Sequence, residues 1–237
     1  MGAAVKNAAE GSSDIKIAAE VDVRVCDGEA NAFSCFAQVT GEYDCIVDFS
    51  HPSVTDSMLD YALKTKTPVV LCTTGLSKEQ IAAAHNAAKE IPVFFSANMS
   101  LGVNLMVALC KKAGEILGED FDIEIIEKHH NQKLDAPSGT AIMLADAINS
   151  TADEKYNYVY DRQSVRKKRE RSEIGIHSVR GGNIVGEHEV IFAGHDECVS
   201  IKHSATSKEV FAVGAVNAAR FLKGKNAGLY SMEDMLK

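Results

Sequence analysis

Residues 45–75 read CIVDFSHPSVTDSMLDYALKTKTPVVLCTTG, and their pattern decides the fold. The runs at 45–49 (CIVDF) and 69–72 (VVLC) are nearly all apolar, as strands covered on both faces of a parallel sheet must be. Between them, residues 53–64 (SVTDSMLDYALK) carry apolar positions at helical spacing, so the stretch reads as strand, helix, strand with a right-handed crossover. The unit repeats downstream. Residues 77–89 (SKEQIAAAHNAAK) predict a helix opened by Ser77 and Gln80 at capping-box spacing, and residues 93–95 (VFF) predict the next strand. Upstream, residues 15–21 (IKIAAEV) predict a strand after a helix at 3–9. The fold class is α/β, and its ligand crevice is expected at the carboxyl ends of the strands, where Asp48, residues 72–75 and residues 96–99 fall.

After Ser100 the pattern changes. A long helix at about 103–116 leads to a strand at 121–127, a polar loop and a second helix at about 139–148. Residues 173–180, 185–192 and 197–203 then alternate as an antiparallel meander, with turns at Gly181-Gly182 and at residues 194–196. This predicts an α+β unit with a mixed or antiparallel sheet over residues 100–207. The first unit spans residues 1–99, and the helix at 208–222 packs back on it. Residues 151–171, which contain Arg166-Lys167-Lys168-Arg169, are expected to be a solvated surface loop.

Composition narrows the partners. The chain has 237 residues, 25 Lys+Arg against 33 Asp+Glu, and a formal charge of −8, the wrong sign for a phosphate-backbone binder. Nucleic acid is therefore excluded as an expected partner. No apolar run approaches the ~18 residues of a membrane span, and the first residues lack a signal-peptide core, so no membrane partner and a cytoplasmic location are expected. Cys26, Cys35, Cys45, Cys72, Cys110 and Cys198 show no CxxC spacing and read as reduced thiols.

The chemistry concentrates in residues 127–141, EKHHNQKLDAPSGTA. Three groups able to carry positive charge, His129, His130 and Lys133, stand within five residues, an expensive arrangement unless an anion lies among them. A helix opens directly afterwards, so backbone N–H groups near Ser138, Gly139 and Thr140 face outward and its dipole favours negative charge. Gly139 permits close approach, and Thr140 adds a hydroxyl. A small dicarboxylate fits, one carboxylate on the helix end and the other against His130 and Lys133, with an imidazolium or ammonium left as general acid. Adjacent residues on a strand face opposite sides and no further ligand sits at usual spacing, so no metal site is expected.

With these residues in view, the chain resembles the dihydrodipicolinate reductases. The signature is a histidine pair, a lysine four residues after its first member, and a Pro-Ser-Gly-Thr turn, here His129, His130, Lys133 and residues 137–140. The likeness extends to VDFS at 47–50, TTG at 73–75, ANMS at 97–100, GVN at 102–104, SVRGG at 178–182, VGEH at 185–188 and GAV at 214–216. The resemblance implies a Rossmann-like nucleotide-binding sheet and reduction of 4-hydroxy-tetrahydrodipicolinate with NADH or NADPH. It implies that His129 and Lys133 donate protons, that His130 contacts the substrate, and that Ser138, Gly139 and Thr140 grip its carboxylate. It assigns cofactor contacts to Met1, Glu20, Cys72, Thr73, Thr74, Ser96, Ala97, Asn98 and Met99, and it implies a homo-oligomer, a tetramer in the family.

Two departures bear on the cofactor. Cys72 stands where the family has the first Gly of a Gly-Thr-Thr-Gly turn, and Glu20 is followed by Val21 and Asp22 with no cation, which leans toward NADH. The family's first strand and Gly-rich phosphate loop precede a Met-Gly that is here Met1-Gly2. On the order of fifteen residues are therefore expected to be missing, which predicts a truncated first strand and poor cofactor binding by a chain whose substrate unit still folds. The competing expectation is a degenerate or truncated homologue that binds the dicarboxylate or oligomerises without catalysis.

Overall fold

The computed structural model describes residues 1–10, 12–25 and 31–237; Cys26 lies outside them. In chain order the elements are α1 (Gly2–Glu10), β1 (Glu20–Val21), β2 (Ala32–Phe33), β3 (Ile46–Asp48), α2 (Pro52–Thr65), β4 (Val69–Leu71), α3 (Lys78–Ala87) and β5 (Pro92–Phe95). There follow α4 (Leu101–Leu117), β6 (Asp122–His129), α5 (Gly139–Asn149), β7 (Asn157–Val159), β8 (Glu173–Arg180), β9 (Gly186–Ala193) and β10 (Cys198–Ala205). The chain closes with α6 (Glu209–Leu222), β11 (Gly228–Tyr230) and α7 (Met232–Met235). Two compact units result, one of residues 1–100 with 209–237, the other of residues 101–208.

In the first unit a four-stranded parallel sheet runs β11-β5-β4-β3. Val69, Val70, Leu71, Val93 and Phe94 are fully buried, which is why these strands read as continuous apolar runs. Helix α2 starts on Pro52, and the His51 ring accepts from Ser53 N at 3.2 Å. Helix α3 starts in a complete capping box between Ser77 and Gln80. Helix α6 packs on β3, β4, β5 and α1.

One expected strand is shorter. Only Glu20 and Val21 of residues 15–21 join a ladder, paired in parallel with Ala32 and Phe33. Ile15 and Ile17 instead pack into an apolar cluster with Val5, Ala212, Val216, Val47 and Phe49. Without a longer partner beside them, these residues gain more from apolar contact than from extended pairing. No ladder joins β1 to β3 among the described residues.

In the second unit five strands run β10-β9-β6-β8-β7. This corrects the expected meander. Strands β8 and β9 are not neighbours: β6 lies between them, parallel to β8 and antiparallel to β9. Residues 181–185 have to cross two strand spacings, roughly 10 Å, which five residues span easily. The crossing is held by Gly181 N on His129 O (2.9 Å) and Asn131 N on Gly182 O (3.2 Å). Burying β6 places Ile123 and Ile125 beside Ile174, Ile176, Val190 and Phe192 in one core.

The basic segment is largely exposed, as expected of a surface loop, but two arginines in it are anchored to the sheet. Arg162 bonds Glu124 (2.6 Å) and Glu173 (2.8 Å), while Arg169 bonds Asp122 (2.7 Å) and Glu124 (3.0 Å). Carboxylates on β6 and β8 draw the segment onto the sheet, and residues 157–159 add an edge strand.

Candidate functional site

In the second unit, β6 alternates from exposed Asp122 to buried His129, so Ile123, Ile125, Glu127 and His129 share the core face. Helix α5 lies against that core through Ala141, Leu144, Ala145 and Ile148, all fully buried. These positions form one helical stripe, with each large aliphatic side chain contributing about 1.5–3 kcal/mol on burial. The stripe seats the helix, and Ser138 caps its N-terminus by accepting from Ala141 N at 3.2 Å.

Glu127 ties the parts together. Its side chain is completely buried. Arg180 donates to it twice, Nη1 to Oε2 at 2.8 Å and Nη2 to Oε1 at 2.6 Å. Ser138 N donates to Oε1 at 3.2 Å, and His129 Nδ1 lies 2.6 Å from Oε2. Burial pushes this carboxyl up, but bonds from Arg180, Ser178 and His129 with the Arg180 charge outweigh it and hold the pKa at about 2.

His129 is lowered from the usual histidine value, first by burial; Glu127 opposes that, while Lys133 and Arg180 add to it. Its ring meets His188 edge-on at 5.2 Å. His188 Nε2 lies 2.8 Å from Ser138 Oγ, and burial drives its pKa to about 4. Lys133 pairs with Asp135 at 2.8 Å, and Arg180 Nη2 also donates to the Asp135 carbonyl at 2.7 Å.

Of the residues expected here, His129, Lys133 and Ser138 stand within this network. His130 is half-buried at the end of β6, and Gly139 is exposed. A Cβ on Gly139 would meet nothing within 4 Å, so the space above the first helical residue is open. Ser138 Oγ is already engaged with Ala141 N and His188, which leaves it a capping role. Repulsion among three cationic groups does not by itself require an external anion, because Glu127 and Asp135 lie among them. The sequence reading missed Glu127, Arg180, Asp135 and His188.

In the first unit the carboxyl ends of β3, β4 and β5 enclose a cavity of about 320 Å³. It is lined by Met1, Cys72, Thr73, Thr74, Ser96, Ala97, Asn98 and Met99, together with Phe49, Ser50 and Phe211. Buried Asp48 joins the strand ends: Thr73 Oγ1 donates to its Oδ2 at 2.7 Å, and Ser50 N to its Oδ1 at 3.0 Å. Ser96 Oγ bonds Asn98 O at 2.9 Å, and Ser100 N bonds Asn98 Oδ1 at 2.9 Å, which shapes the turn after β5. Burial raises the Cys72 thiol well above its ordinary value. Glu20 does not line the cavity; it pairs with Lys6, a cation the sequence reading did not place there.

A parallel sheet with a crevice at its strand ends stands in one chain with an α+β unit that carries a buried cluster of titratable side chains beside a helix N-terminus, the layout of a two-unit nicotinamide-dependent oxidoreductase. The family models described as "Dihydrodipicolinate reductase, N-terminus" and "Dihydrodipicolinate reductase, C-terminus" match residues 1–99 and 102–236. The chain belongs to the dihydrodipicolinate reductase family. It is 50% identical over 237 residues to a 4-hydroxy-tetrahydrodipicolinate reductase of Caldanaerobacter subterraneus subsp. tengcongensis, covering all of this chain and 94% of that one. It is 48% identical to the enzyme of that name from Clostridium tetani, covering 92% of it. A solved dipicolinate-bound dihydrodipicolinate reductase from Paenisporosarcina sp. TG-14 shares the fold at TM-score 0.77 and 20% identity, over 100% of this chain and 95% of that one. Among the described residues, no group of three or more His, Cys, Asp or Glu could hold a metal, and no helix is long and apolar enough to cross a membrane.

Proposed function

We propose that the chain reduces 4-hydroxy-tetrahydrodipicolinate to tetrahydrodipicolinate in the diaminopimelate route to lysine. One observation carries the reading: His129 and Lys133 stand beside a capped helix N-terminus whose first residue, Gly139, is exposed with open space where a Cβ would lie. One substrate carboxylate takes the helix end, approaching closely over Gly139 with the Thr140 hydroxyl as a further donor. The second is met by His130 and Lys133. In the net reaction the hydroxylated ring loses water and gains one hydride and one proton. Reduced nicotinamide, when bound, supplies the hydride. His129 and Lys133 supply the proton, and Asp135 holds Lys133 in the site until the substrate draws it away.

Met1, Cys72, Thr73, Thr74, Ser96, Ala97, Asn98 and Met99 would hold the cofactor, and the hydroxyls and turn backbone at the strand ends suit its phosphates and amide. Glu20 accepts from ribose hydroxyls and repels a 2′-phosphate, which favours NADH; Lys6 beside it offers that phosphate a cation and narrows the preference. The proposed location is the cytoplasm, and the proposed assembly is a homo-oligomer.

The test is consumption of NADH or NADPH when the substrate is added to the purified chain. The Lys133→Ala variant is expected to lose about 10²-fold in kcat/KM. Dicarboxylate binding with no cofactor consumed would replace the reductase by a binding module.

A further inference from the structure

We propose that Glu127 is a positioning residue: held by Arg180, it fixes His129 in the tautomer that carries its proton on Nδ1, so that Nε2 is the nitrogen that exchanges a proton with substrate. The inference rests on the reading of His129 as a proton donor and specifies which of its atoms acts.

The argument starts from the donors around one carboxylate. Glu127 is completely enclosed and receives both terminal nitrogens of Arg180 and the backbone N–H of Ser138. An ionised carboxylate only accepts. Nδ1 of His129, 2.6 Å from Oε2, must therefore be the donor of that bond. In the neutral ring the lone pair is then on Nε2, and in the cation the Nε2 proton is the one free to leave. Residue 186 keeps this nitrogen uncovered, since a Cβ on Gly186 would lie 3.2 Å from Nε2.

The same carboxylate reaches the substrate-gripping end of α5 through Ser138 N. Proton donor and helix N-terminus are thereby referenced to one buried point, and neither moves without straining the other. The charged and titratable groups facing His129 are Glu127 on its own strand, Arg180 on β8, His188 on β9 and Lys133 in the following loop. Glu127 is the anion among them. Burial, Arg180 and Lys133 disfavour a positive charge on His129, and Glu127 opposes them.

The experiment is nitrogen-15 NMR of the imidazoles in the wild-type chain without ligands, followed by kinetics. An Nδ1–H, Nε2-lone-pair pattern for neutral His129 is expected; the reverse pattern overturns the proposal and needs no variant. In Glu127→Gln, an amide that can donate as well as accept, the His129 titration is expected to move to lower pH and the alkaline limb of kcat, where a proton donor is lost, to follow it. Its kcat should fall on the order of 10²-fold, with substrate KM changed less than about threefold. A variant with unmoved titration and unmoved kcat overturns the assignment. A wild-type chain with the expected tautomer but no turnover supports the tautomer and overturns the reductase reading, so the two failures are distinct.

Discussion

At the scale of single residues, one buried imidazole costs stability at low pH. His188 is 4% exposed, and its Nδ1 has no hydrogen-bond partner. Burial, with the neighbouring His129 charge, brings its pKa to about 4, whereas a histidine in an unfolded chain protonates near ~6.5. Above that pH both states are neutral and the group has no effect. Below it the unfolded chain binds a proton that the folded one does not, so stability must fall with pH until the folded value near 4 is reached. Between pH ~6.5 and ~5 the loss from this residue is about 2 kcal/mol. Urea midpoints across that interval should drop less steeply for His188→Gln than for the wild type; parallel lines would refute the assignment. His129, Lys133 and Gly139 were legible because they share fifteen residues of sequence. Glu127 could have been read as well, two positions before His129 on a strand and hence on the same face. Arg180 and His188 could not, since they stand 53 residues from Glu127 and 50 from Ser138, and only strand register brings them in.

At the scale of elements, α6 approaches the turn after β5 without clearance. A Cβ on Gly214 would lie 1.6 Å from Met99 O and 2.8 Å from Met99 C, backbone atoms that cannot swing aside. Gly214→Ala should cost about 3 kcal/mol or more and weaken nicotinamide binding, because Met99 lines the first unit's cavity. Dicarboxylate binding by the second unit should be unchanged, which paired calorimetric titrations would check. The alternating elements of the first unit, β3, β4 and β5 with α2 and α3, agree with their sequence limits to within about two residues. The order of β6, β8 and β9 was not legible, because period-two alternation reports which face a strand buries and says nothing about which strand lies beside it. The extended run at 15–21 failed for a related reason: an apolar sequence can serve an irregular segment packed on helices as well as a ladder.

At the scale of the whole molecule, the five-stranded sheet has a second face. Opposite α4 and α5 it presents half-buried Ile126 and Ile191 and exposed Val179 among charged neighbours, with Glu189 beside Ile126, Lys128 beside Val179, and His177 bonded to Glu124. Copies of the chain packed on this face would cover it with complementary charges at its rim. Sedimentation equilibrium is expected to give a multiple of 25.5 kDa, and Ile191→Lys should shift the mass downward while circular dichroism stays the same. A wild-type mass of a single chain would refute the assembly.

Arg180 has one more effect. It grips the Asp135 carbonyl and Glu127 together, so the segment carrying Lys133 is moored at its backbone, independently of the lysine's own ion pair. On the proposed function, an arriving acid would capture that ammonium by a swing of one side chain, with the mainchain staying where it was. Recognition then begins from a ready-made shape, and little ordering entropy is lost at the moment of capture.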